Sequence, residues 1–227
     1  QVEVSVADNA TALVFRVLDP PTSEDEARFR EFGEQHGVRI YLQPGGLDTV
    51  ALFYPEAADP LYYELPEFDV KIAFDAVGFV QVNRDINQRM VHQAVELLDP
   101  GPDDRVLDLY CGIGNFSLPL ARRAGEVLGV EGDAMLVKAA AANAALNGIG
   151  NATFRQADLS AIDGTEGWLR EGWDLLLLDP ARSGAQEDRP LRQAADLEHR
   201  EGAGGQGPRP RGRDRRCPRP ARAAAVD

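Results

Sequence analysis

The residues best placed to do chemistry lie in the stretch Arg105-Val106-Leu107-Asp108-Leu109-Tyr110-Cys111-Gly112-Ile113-Gly114-Asn115-Phe116. An apolar run with an acid inside it, two glycines one residue apart and the amphipathic Phe116-Ser117-Leu118-Pro119-Leu120-Ala121 predict a buried strand, a tight turn and the start of a helix. Glycines at 112 and 114 leave the turn bare. A ligand can then lie against main chain at the strand's carboxyl end, with Asp108 as an acceptor beneath the loop. Such a turn suits an adenosine-bearing cofactor. A dinucleotide turn needs a third glycine near Ser117, and there is none. The spacing Asp-x-x-x-Gly-x-Gly favours S-adenosylmethionine instead.

These residues need a sheet to hold them, and the following segments supply one. Val127 to Val130 predicts a second buried strand ending in Glu131, where an acid can accept both ribose hydroxyls of an adenosine. An Ala-rich helix runs from Asp133 to Asn147-Gly148, a pair suited to a left-handed cap. Ala152 to Ala157 is the third strand, with Asp158 at its end. Trp173 to Pro180 is the fourth, and its four consecutive leucines predict cover on both faces, as in a parallel sheet. Short β-α passages with right-handed crossovers give the order 3-2-1-4. The carboxyl ends of all four strands then carry Gly112, Gly114, Glu131, Asp158 and Asp179 on one rim. The fourth strand is left as an unprotected edge.

Upstream, residues 1–19 alternate apolar and polar and predict a strand pair turning at Asp8-Asn9. Ser23 with Glu26 forms a capping-box pattern opening a helix to about Gln35, closed by Gly37, with a strand from Val38 to Leu42. Pro44-Gly45-Gly46 is a turn, and Thr49 to Tyr54 and Leu61 to Leu65 predict short strands. Residues 1–78 are therefore expected to be part of an α+β subdomain, with the chain beginning inside it. Phe79 to Asn83 leads into a helix with Asp85 as its N-cap. Its apolar positions Ile86, Met90, Val91, Ala94, Val95 and Leu98 keep a 3.6-residue period until Pro100-Gly101 stops it. Residues 79–188 form the cofactor-binding core.

With 227 residues, 44% of them hydrophobic, the chain can bury a sizeable core. No apolar run is long enough to cross a bilayer, and the first residues lack a secretory pattern, so a cytoplasmic protein is expected. Two cysteines, Cys111 and Cys217, exclude a disulfide framework and a four-thiolate metal site. Net charge is −13, but residues 189–227 hold ten Arg against five acids, leaving the remainder with 14 basic and 32 acidic residues. That body does not advertise a nucleic-acid partner. Residues 189–227, rich in Arg, Gly, Pro and Ala, show no apolar period and are expected to be disordered. They are a solvated tail, a basic RNA-binding arm or an out-of-frame tail, since GC-rich codons read in the wrong frame give this mixture.

Three separated motifs, Phe79-Val80-Gln81-Val82-Asn83, Asp108 to Phe116, and Leu178-Asp179-Pro180-Ala181-Arg182-Ser183-Gly184, resemble those of the RNA uracil-5-methyltransferases. The likeness is nearest to the members acting on 23S rRNA. It is strong from Phe79 to Gly184, weak through residues 1–78 and absent beyond. It implies a Rossmann-like class I fold dependent on S-adenosylmethionine, here with an incomplete sheet, in which Gln81, Tyr110, Glu131, Asp158 and Asp179 contact the cofactor. Asn115 is expected to cap a helix rather than to bind. The family's chemistry begins with a cysteine thiolate adding to uracil C6, which makes C5 nucleophilic enough to take the methyl group, after which a general base removes the C5 proton.

The family's Ser-Cys-Asn-Pro-like nucleophile motif and its later base Glu are not in this sequence. Cys111 belongs to the turn and is expected to be a small packed residue, and the surroundings of Cys217 do not match. The resemblance thus implies uridine C5 methylation of 23S rRNA, with this chain inactive as it stands, no metal, no membrane and a monomeric state. The rivals are a tRNA uracil-5-methyltransferase, an amino-group methyltransferase, a non-catalytic cofactor- or RNA-binding module, and a nicotinamide dehydrogenase. Asp179-Pro180-Ala181-Arg182 lacks the aromatic residue that stacks on a base in the amino-group class, and the dehydrogenase needs the missing third glycine.

Overall fold

A computed structural model describes residues 1–78, 80–81, 83–162 and 165–180, and the backbone alone of 222–225. The chain divides into two compact units, Gln1–Asn87 and Gln88–Asp227.

In the first unit, the alternating amino-terminal residues form β1 (Val2–Val6) and β2 (Thr11–Arg16), an antiparallel pair that turns at Asp8-Asn9 as predicted. Helix α1 (Ser23–His36) carries the chain to β3 (Arg39–Gln43), parallel to β2, and β4 (Ala51–Tyr54) returns antiparallel. The sheet order is β1-β2-β3-β4. Phe29 of α1 packs on Phe15 and Phe53, with ring centroids 4.9 and 6.0 Å away. Gly37 closes α1 in the left-handed conformation, as predicted. The capping box, however, lies one residue earlier than Ser23 and Glu26. Thr22 is the last extended residue, its hydroxyl accepts from the Asp25 amide at 3.2 Å, and its own amide donates to the Asp25 carboxylate at 3.0 Å. Ser23 is already helical.

A separate antiparallel hairpin follows, β5 (Leu61–Leu65) with β6 (Val70–Phe74). The sequence reading had no strand at β6, although Val70, Ile72 and Phe74 alternate as buried residues. Phe79 and Val82 of the first motif lie outside the described residues. Helix α2 (Arg84–Leu98) spans the boundary between the units. Its cap is Asn83, whose Oδ1 accepts from the Ile86 amide at 3.0 Å. Asp85, the expected cap, is inside the first turn instead. Val91, Ala94, Val95 and Leu98 are buried on the predicted stripe, while Ile86 is exposed.

The second unit is a parallel sheet built from β7 (Arg105–Leu109), α3 (Ser117–Ala121), β8 (Glu126–Glu131), α4 (Ala134–Leu146), β9 (Ala152–Gln156) and β10 (Leu175–Leu178). A further strand, β11 (Arg222–Ala225), completes the order β11-β10-β7-β8-β9. The predicted order 3-2-1-4 is therefore present, with one strand added. That addition corrects two expectations. Residues 222–225 are not disordered, and β10 is not an edge, because β11 pairs with it in parallel from Leu175↔Arg222 to Leu178↔Ala225. Arg-Ala-Ala-Ala is a short run without Pro or Gly, which leaves every amide able to join the ladder. The rest of the expected tail lies outside the described residues.

Register partners share a face of a sheet. Leu107, Leu109, Leu128, Val130 and Leu178 form one core face with Leu159, Ile162 and Trp168 from the 3-10 turns between β9 and β10. Helices α3 and α4 pack against β8 and β9. Among the described residues no helix is long and apolar enough to cross a membrane.

Candidate functional site

The chain leaves β7 through Tyr110, a non-glycine residue at φ +64°. A side chain held there costs about 1 kcal/mol, so something must fix it. The amides of Tyr110 and Cys111 both donate to the Val130 carbonyl on β8, at 2.9 and 3.2 Å. Gly112 and Gly114 follow at φ +54° and +97°. A Cβ on Gly114 would come within 3.1 Å of Leu118, so its lack of one lets α3 start close to the turn. A Cβ on Gly112 would meet nothing within 4 Å, which makes that side of the turn open space in which a ligand can approach main chain. The buried Asn143 amide of α4 donates to the Ile113 carbonyl at 3.1 Å and pins the loop from outside.

Glu131 ends β8 beside this turn. Its Oε2 accepts from the Gly112 amide at 3.1 Å, and its Oε1 accepts from Gly132 and Asp133 at 2.8 and 3.2 Å. Three main-chain donors thus orient one carboxylate over the loop. Asp179 follows β10, and its amide points at the Leu109 carbonyl at 3.5 Å. Burial raises its carboxyl above the ordinary value. Asp158 follows β9 and is exposed. It caps a 3-10 turn by accepting from the Ser160 amide at 3.0 Å and hydroxyl at 2.6 Å, and that hydroxyl holds its carboxyl below the usual range.

Because Leu109 is level with Val130 and Leu178, and Glu131 with Gln156, the structure brings Tyr110, Gly112, Gly114, Glu131, Asp158 and Asp179 to one end of one sheet. Gln81 belongs to the first unit, where it is exposed. The helix cap expected of Asn115 is not at the N-cap, since Phe116 immediately precedes α3 and its side chain makes no capping bond.

Beneath the turn, Asp108 is fully buried and its Oδ2 accepts from the equally buried Ser117 hydroxyl. Burial, with Asp179 and Glu131 adding to it, pushes its carboxyl up to about 7. Cys111 is buried, and burial beside Asp108 pushes its thiol up as well. Burial of this kind keeps a thiol protonated, the form that is a poor nucleophile. Ser117 and Asn143 escaped the sequence reading. The signal for Asn143 was a lone amide within an alanine-rich helix, and Ser117 gave none apart from its place just after the turn.

A parallel α/β sheet with a glycine turn after its central strand and acids at the carboxyl ends of its neighbours defines a Rossmann-like nucleotide-binding fold. Solved structures share it. The tRNA (uracil-54, C5)-methyltransferase of Pyrococcus abyssi, in complex with S-adenosyl-L-homocysteine, matches 87% of this chain and 52% of its own at a TM-score of 0.59 and 18% identity. Trm5b of the same organism matches 86% of this chain and 56% of its own at 0.54 and 15%. Those likenesses concern the fold alone. In sequence, residues 64–168 match the model of the tRNA (Uracil-5-)-methyltransferase family. The 23S rRNA (uracil(1939)-C(5))-methyltransferase RlmD of Methylococcus capsulatus is 52% identical over 187 residues, 82% of this chain and 42% of the relative. RlmD of Xanthomonas campestris pv. campestris is 50% identical over 196 residues, 85% of this chain and 44% of the relative. The chain belongs to the RNA uracil-5-methyltransferase family, and it spans less than half the length of these curated relatives.

Proposed function

We propose that this chain is the S-adenosylmethionine-holding part of an enzyme that methylates uridine C5 in 23S rRNA, acting as a cytoplasmic monomer. The observation that carries the reading is the convergence of Gly112, Glu131 and Asp179 on one rim beside open space at the turn. The residues fit the cofactor. Gly112 lets it approach main chain, Glu131 offers its ribose hydroxyls an already oriented acceptor, and Asp158 and Asp179 supply further acceptors. Tyr110 joins the set on the family likeness. Bound there, the cofactor supplies an electrophilic methyl group.

This chain's own contribution is to bind and orient. Asn143 and Glu131 fix the turn from two sides, and the buried Cys111 and Leu118 exclude water beneath it. Neither the family's nucleophile motif nor its base is in the sequence, so binding without turnover is expected. Relatives about half identical and named for 23S rRNA support that substrate over tRNA, the substrate in the family model's name.

Calorimetry with S-adenosylhomocysteine and a tritium methyl-transfer assay on unmodified 23S rRNA test the proposal together. Binding without transfer is expected. Gly112→Ala, strained at φ +54° and with a methyl group in the open space, should bind at least about tenfold more weakly, equivalent to about 1.4 kcal/mol. An absence of binding overturns the cofactor assignment, and transfer by this chain overturns its assignment as non-catalytic.

A further inference from the structure

Neither Asp108 nor Ser117, its hydrogen-bond partner, has any exposed surface. The second carboxyl oxygen, Oδ1, has no partner among the described residues. Asp108 lies level with Gly129 on β8 and Leu177 on β10. By alternation, Glu131 and Asp179, each two residues further on, project from the same face one step nearer the rim. Gly129 leaves room on that face, which Phe154 and the Cys111 sulfur fill: a Cβ on it would stand 2.6 and 2.9 Å from them.

The titratable groups acting on Asp108 are therefore two acids from the flanking strands and a thiol from the turn, and α3 brings it a hydroxyl rather than a cation. In that company a buried carboxyl keeps its proton. We propose that Asp108 is a specificity-determining residue that stays neutral while the rim is free and releases its proton when a positively charged ligand settles beside Glu131 and Asp179. On the cofactor assignment above, that ligand is the sulfonium of S-adenosylmethionine, and the sensor favours it over the uncharged sulfur of S-adenosylhomocysteine. In the step, the O–H bond of Asp108 breaks, the proton passes to a buffer base, and the carboxylate left behind faces the ligand's positive charge. Ionisation beside two acids is unfavourable until that charge is present.

The test is calorimetry of both ligands at pH 6.5 in two buffers of different ionisation enthalpy, which counts the protons released on binding. Asp108 is mostly protonated there, with its carboxyl at about 7. S-adenosylmethionine should displace roughly 0.5 to 0.7 proton more from the wild-type protein than from Asp108→Asn, and S-adenosylhomocysteine should show a smaller difference. Should Asp108→Asn fail to fold, the Asp108 carboxyl carbon of the wild-type chain is followed by NMR, with a midpoint near 7 expected in the free protein and a lower one with S-adenosylmethionine bound. Binding with the same proton count in both proteins, or a free midpoint near 4, overturns this inference alone. Absence of binding heat from the wild-type protein overturns the cofactor assignment and this inference with it.

Discussion

A carboxyl group with no exposed surface, as at Asp108, meets a cost of ionisation in the folded protein that it does not meet in the unfolded chain. Its folded value of about 7 lies above the ordinary 3.8. Between roughly pH 4 and 7 the unfolded chain has therefore released a proton that the folded protein still holds, and stability falls as pH rises through that window. Above 7 the loss levels off at up to about 4 kcal/mol. Urea unfolding of the wild-type protein and Asp108→Asn should show the variant gaining on the wild type from pH 4 to 7 and keeping its lead at pH 8. A constant difference across that range would remove Asp108 as the source. The acid was legible as an acceptor beneath the loop because it interrupts an apolar strand just before the glycines. Its pairing with Ser117 was not, because a serine in Phe-Ser-Leu-Pro reads equally well as a helix start.

Among the elements, the strands and helices of the second unit follow from their patterns, because an unalternating apolar strand and a glycine turn each admit few structures. The caps were harder to place. Thr22, Ser23 and Asp25 are all good capping residues, and only the backbone at Thr22, extended at ψ 164°, picks one of them. Thr22→Ala should cost about 1 kcal/mol in thermal or urea unfolding, and Ser23→Ala much less. The reverse ranking would return the cap to Ser23. Hairpin strand β6 is hard to read from sequence because Val70-Lys71-Ile72-Ala73-Phe74 is short and follows another strand closely. Strand β11 was illegible for a different reason. Arg-Ala-Ala-Ala has no strand propensity of its own, so only a vacant, fully apolar neighbour gives it a place.

At the scale of the molecule, the sheet of the second unit is closed on the β10 side by a strand more than forty residues further along the chain. A chain ended at Pro180 leaves β10 as an apolar edge. It should exchange its Leu175–Leu178 amides faster in hydrogen-exchange mass spectrometry and associate at lower concentration than the full chain. Equal exchange in the two would show that β11 does not protect the ladder. The rim was the most legible feature of all, since each of its acids stands at the end of a strand the sequence marks plainly. Glu131, Asp158 and Asp179 also gather acidic side chains at that end of the sheet. On the function proposed above, a polyphosphate backbone nearing that rim is pushed away, and a neutral heterocycle swung clear of its own sugar and phosphate meets no such resistance. On that proposal, charge would therefore screen what reaches the rim before any hydrogen bond tells one base from another.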